Sequence, residues 1–152
     1  MDDWIKMDQA TPTVKDFIDY PGLKSCMVKM LTGSKCAADV PVDEARLATA
    51  VAVLREAAFV GITDEWNESM CLFHAMYGGD LNEHVFQNVR ATDTMNRGYN
   101  RDEALEKLSP EDDPYDWQLF LVAKALFRER QKTYGMPMYE VPEAGRTAAP
   151  AG

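Results

Sequence analysis

The sequence predicts a mainly α domain with one clear strand and room for a second, on the pattern of a truncated α/β domain. Three observations point there. The run Phe59-Val60-Gly61-Ile62 is short, apolar and β-type, and it turns at Thr63 and Asp64 straight into an amphipathic helix. A strand feeding a helix is the building unit of α/β folds. Asp43 opens another helix reaching about Ala57, and Asp113-Pro114 opens the longest, reaching about Tyr134.

Each element has a local reason. Residues 1–12 are polar with a few apolar anchors, Trp4, Ile5 and Met7, and read as an N-terminal arm. Thr11 or Thr13 can cap a short helix in which Val14, Phe17 and Ile18 share a face, and Pro21-Gly22 ends it. Residues 23–31 fit helix and strand equally well. In the helix from Asp43, Leu47, Val51, Leu54 and Ala58 form the stripe, and the alanines permit close packing. In the helix after Asp64, Trp66, Met70, Phe73 and Tyr77 fall on one face, and Gly78-Gly79 stops it. Residues 80–101 are irregular, with a short helix after them at 102–108. Asp113 caps the last helix and Pro114 takes its first position, where a missing N–H costs nothing. Its face is Phe120, Ala123, Phe127 and Tyr134, and Lys124, Arg128, Arg130 and Lys132 suit the negative end of its dipole. The domain is thus expected over 13–135. Residues 136–152 form a Pro-, Ala- and Gly-rich tail of the kind that orders only when a partner holds it.

The chain of 152 residues suits one domain, and its net charge of −9 argues against a nucleic-acid surface. No run of 18 apolar residues is present, so no transmembrane helix is expected. The start, Met1-Asp2-Asp3-Trp4-Ile5-Lys6, has acids where a signal or transit peptide has bases. A cytosolic chain is one expectation. A chloroplast or Golgi protein that has lost its targeting segment is the other. Cys26, Cys36 and Cys71 make an odd, low count that does not read as a disulfide framework, and the reducing-compartment rule weighs against a Cys26–Cys36 pair without excluding it. With no CxxC spacing, no structural zinc site is expected.

The motifs that could carry chemistry are few. Thr32-Gly33-Ser34-Lys35 fails the Walker pattern, because position 29 is Lys and position 36 is Cys, and reads as a Gly turn. Asp64, Glu65 and Glu68 sit where acids favour a helix dipole, which explains them without acid–base work. His74 reads as a packed histidine, His84 is isolated, and Ser69 has no triad-like partner. Arg97-Gly98-Tyr99-Asn100-Arg101 could hold a phosphate or form a solvated loop. Met27, Met30, Met70, Met76, Met136 and Met138 read as core or interface filler. No catalytic, cofactor-binding or metal-binding residue is assigned.

Three segments together resemble the C-terminal half of the Golgi-type carbohydrate sulfotransferases, the heparan sulfate 2-O-sulfotransferase-like family. The first is Cys26-Met27-Val28-Lys29-Met30-Leu31-Thr32-Gly33, with Cys36 following. The second is Phe59 to Met70, with Asp64 where the family usually has Glu. The third is Asn88 with its polar linker, then Asp113 to Arg128. The resemblance implies a partial, P-loop-type sulfotransferase domain. In that family a strand, Gly-rich loop and helix hold the donor PAPS, and a later Arg and Ser bind its 3′-phosphate. Nothing before Leu23 resembles these.

The expected function is therefore a non-catalytic, sulfotransferase-like structural or accessory subunit of a larger multi-subunit assembly, with no cofactor. Other protein subunits would meet its N-terminal arm, apolar helix faces and tail. A photosystem is one organelle setting for such a subunit, though no motif selects it. The alternative is the C-terminal part of a PAPS-dependent carbohydrate sulfotransferase, and a remnant anion pocket at Arg97 and Arg101 is a third reading. A lone strand cannot satisfy its own backbone, so Phe59–Ile62 is expected to pair with 23–31 or with a strand from elsewhere.

Overall fold

The computed structural model describes residues 11, 13–20, 22–86 and 108–136. Among these residues are five α-helices, α1 (Val14–Asp19), α2 (Cys26–Leu31), α3 (Glu44–Glu56), α4 (Trp66–Tyr77) and α5 (Pro114–Thr133), with single 3₁₀ turns at Thr63–Glu65 and Glu83–Phe86. The mainly α expectation therefore stands. The N-terminal arm apart from Thr11, the Asn88 linker, the Arg97–Arg101 loop, residues 102–107 of the expected helix at 102–108 and the tail from 137 lie outside the described residues.

The starts of α1, α3 and α5 follow their sequence signals, whereas α4, with Glu65 at its N-cap position, has no side-chain cap from Thr63 or Asp64. Thr13 and Asp16 make a reciprocal capping box on α1. Asp43 accepts the Arg46 N–H at 2.9 Å to cap α3. Gly33 and Gly135, at φ 81° and 65°, close α2 and α5. At both ends two N–H groups turn back to carbonyls of the last turn: Gly33 to Met30 and Ser34 to Lys29, then Gly135 to Lys132 and Met136 to Gln131. This is the double bond of a Schellman stop, and it makes Thr32–Ser34 a structural turn.

The core has two parts along α5. Near its start, Leu119 packs with Val28 of α2 and with Leu47 and Ala50 of α3, flanked by Leu31, Val51 and Leu54. Further on, Phe127 packs with Leu72 of α4 and with Ile62, flanked by Phe59, Phe120 and Met76. The α3 stripe is thus centred on Leu47, Ala50, Val51 and Leu54, while Ala58 is exposed.

Two expectations need correction. Residues 23–31 form a turn and then a helix, so they offer no strand to Phe59–Ile62. Among the described residues there is no strand at all. A bend at Ala58 precedes the segment, and its last residue, Ile62, is extended at φ −114°, ψ 120°. Side chains take the place of a neighbouring strand. The Ile62 N–H donates to the Ser69 hydroxyl at 2.8 Å, and that hydroxyl donates to the Ile62 carbonyl at 3.0 Å. The Tyr77 hydroxyl donates to the Ala58 carbonyl at 3.0 Å, and Arg130 donates to that of Ala57.

In α4 the buried residues are Ser69 and Leu72, with Met76 beside them, and the apolar face of Trp66, Phe73 and Tyr77 is on the surface. The physical reason is Ser69. Its hydroxyl is satisfied by Ile62, so a polar residue can be buried, and the helix turns that side inward.

Candidate functional site

Three features of this frame present chemistry. The first is the junction of α2 and α5. Asp113 accepts the backbone N–H of Ser25 at 2.7 Å and its hydroxyl at 3.1 Å, while also capping α5 through the Asp116 N–H. Asp116, one turn on, accepts the N–H groups of Met27 and Val28 at 2.8 and 2.9 Å. Two carboxylates from the start of α5 thus take up donors that α2 cannot satisfy itself. Burial raises the Asp116 pKa above its ordinary range, against the pull of the two backbone donors. Ser25 sits in the left-handed region at φ 54°, a conformation that non-glycine residues seldom adopt. Just beyond it, Cys26 is joined to Cys36 in a disulfide. Lys29 is 1% exposed, and its ammonium reaches the carbonyls of Gly22 at 3.4 Å and Ala38 at 3.3 Å. Disulfide and lysine together fasten the 34–38 loop to α2. The pair that the compartment rule weighed against is therefore formed.

The second feature is a pair of apolar hollows on either side of Asp116 and Phe120. One, of about 580 Å³, is walled by Phe17, Ile18, Leu23 and Trp117. At its mouth Asp112 accepts from Lys15 at 3.1 Å and from the Ser109 N–H at 2.6 Å. The Ser109 bond first, and Lys15 second, hold the Asp112 pKa below its ordinary range. The other, of about 300 Å³, runs beside Val60, Gly61 and Ile62 against Met27, Leu31 and Leu54.

The third feature is an aromatic strip on α4. Trp66, Phe73 and Tyr77 are 49%, 39% and 52% exposed. Phe73 contacts Phe59 edge-on at 5.3 Å and Tyr77 at 4.9 Å. The Trp66 indole N–H donates to the Val85 carbonyl at 2.9 Å, which fixes the ring's orientation. The strip is held in place and open to solvent.

The residues singled out by sequence fall apart from one another. Glu65 is paired with Arg128 at 2.7 Å and Lys124 at 3.9 Å and ties the 3₁₀ turn to α5. Asp64 lies exposed beside the smaller hollow. Glu68 stands on α4 one residue from Ser69, whose hydroxyl has a purely structural role at Ile62. His74 packs edge-on against Phe73 at 5.8 Å, with its Nδ1 buried and unpartnered, and His84 is exposed. Met76 and Met136 pack in the core, Met70 is half-buried, and Met27 and Met30 are exposed. Met138, Arg97 and Arg101 lie outside the described residues. Sequence reading missed Asp116 and Lys29. Asp116 looks like an ordinary first-turn acid, and only the fold brings it to α2. Among the described residues no group of three or more His, Cys, Asp or Glu could hold a metal, and no helix is long and apolar enough to cross a membrane.

No family model, curated protein or solved structure matches this chain.

Proposed function

We propose that the chain is a non-catalytic accessory subunit that works by holding another polypeptide against the aromatic side of α4. The observation that carries this reading is the exposed strip of Trp66, Phe73 and Tyr77, oriented by ring contacts and by the Trp66 bond to Val85. Contiguous apolar surface is costly to leave in water and marks contact sites. Tyr and Trp are the side chains that most often anchor such contacts. The net charge of −9 favours a partner with a basic rim. Photo-cross-linking in the source cell tests it, with a benzophenone amino acid at Phe73 or Tyr77 and, as control, at Asp39. One protein captured at positions 73 and 77 and absent at 39 supports the reading. Equal capture at all three, or none, removes it.

A second reading is favoured by a different observation. The described parts of the three segments that resemble a sulfotransferase meet one another in space. Asp113 and Asp116 bond α2, and Phe127 packs on Ile62 and Leu72. A piece of one domain would have that unity. Under this reading the chain is the C-terminal part of a PAPS-dependent carbohydrate sulfotransferase. Its test is the upstream reading frame: a strand, Gly-rich loop and helix there support it, and their absence removes it.

A further inference from the structure

We infer that the stretch Phe59–Ile62 presents an open backbone edge that receives an extended segment of another chain as a pairing strand. In extended chain the N–H and C=O of one residue point to the same edge, and those of the next residue point to the opposite edge. Ser69 occupies the edge at Ile62, bonding both of its backbone groups. The backbone groups of Gly61 and Phe59 therefore point the other way. Among the described residues neither of these two has a backbone hydrogen-bond partner. Gly61 is exposed, so its edge is accessible.

The side chains fit the same geometry. Val60 and Ile62 are buried. A Cβ on Gly61 would lie 2.9 Å from the Phe59 ring and 3.2 Å from the Ser69 Cβ, on the α4 side. Phe59 and Gly61 thus share one face, and Val60 and Ile62 share the other, as period-two alternation requires. Against Val60, Gly61 and Ile62 lies the hollow of about 300 Å³, with Met27, Leu31 and Leu54 in its walls. An incoming strand would find backbone partners at the edge and apolar space for alternate side chains. The occupant is therefore an extended segment with alternating apolar side chains, bound by strand addition, and the net charge of −9 favours one that carries a Lys or Arg. The inference shares with the proposed function the premise of a polypeptide partner and uses a different surface.

The test uses the ¹⁵N-labelled full chain and a capped hexapeptide of alternating valine and threonine with one lysine. A second peptide is N-methylated at alternate residues, which removes the donors on one edge. In the free chain the Gly61 amide should exchange with solvent at an unprotected rate. On titration the Phe59 and Gly61 amides should shift and become protected, and N-methylation should weaken binding at least about ten-fold, the loss of two or so hydrogen bonds. A Gly61 amide already protected in the free chain overturns the inference. So does equal affinity for the N-methylated peptide, shifts confined to other residues, or no shifts at millimolar peptide. Cross-linking at Phe73 scores the aromatic strip separately, so the two surfaces can fail independently.

Discussion

Replacing Ser69 with alanine should cost far more than an ordinary surface hydroxyl. Ser69 is buried, and so is Ile62, whose two backbone groups it bonds at 2.8 and 3.0 Å. Alanine leaves one N–H and one C=O without a partner in a place where water has little access. An unsatisfied buried group costs about 1–3 kcal/mol. Two such groups, with partial relaxation, give a loss of about 2–4 kcal/mol, a large part of the roughly 5–15 kcal/mol that holds a domain folded. With a urea slope of roughly 2 kcal/mol/M, the midpoint should fall by about 1–2 M. Thr49, an exposed residue whose hydroxyl donates to the Ala45 carbonyl at 3.0 Å, is the control, and Thr49→Ala should stay within about 0.5 kcal/mol. A Ser69→Ala loss no larger than the control would refute the idea that this hydroxyl replaces a neighbouring strand.

Other outcomes follow from the same geometry. Phe127→Ala removes a fully buried ring between α5 and α4 and should cost about 3–5 kcal/mol by urea unfolding. Cys26→Ser or Cys36→Ser opens a loop with a sequence separation of 10 and should cost about 3 kcal/mol, with reductant producing the same loss in the parent chain and none in the variants. The two aspartates should pull the pH profile in opposite directions. Asp116, raised in the folded state, contributes stability that is fully present below its ordinary pKa of 3.8 and is lost as pH rises through the folded value. Asp112, lowered in the folded state, contributes stability present above 3.8 and lost as pH falls through its folded value. Urea midpoints from pH 3 to 7 should show Asp116→Asn losing the first trend and Asp112→Asn losing the second.

Much of the helical frame was legible because it rests on local chemistry. The caps at Thr13, Asp43 and Asp113, Pro114 at the first position of α5 and the stops at Gly33 and Gly135 each act within a few residues. What was not legible depends on meetings across the chain. The apolar run Phe59–Ile62 has strand composition, yet its partner is a serine hydroxyl from α4 and not a strand. Trp66, Phe73 and Tyr77 mark a face without saying which way it points, and the burial of Ser69 decides that. Asp116 bonds amide groups at positions 27 and 28, far away in sequence. Lys29 in a short amphipathic run gives no sign that it will be buried beneath the carbonyls of Gly22 and Ala38.

The central claim, a non-catalytic chain, is tested most directly by calorimetry with adenosine 3′,5′-bisphosphate, the desulfated product of the donor PAPS. The purified chain is first shown to be folded by its helical circular dichroism. The account predicts no saturable heat at millimolar nucleotide. Saturable binding in the micromolar range would contradict it and show that the chain holds a sulfotransferase donor site.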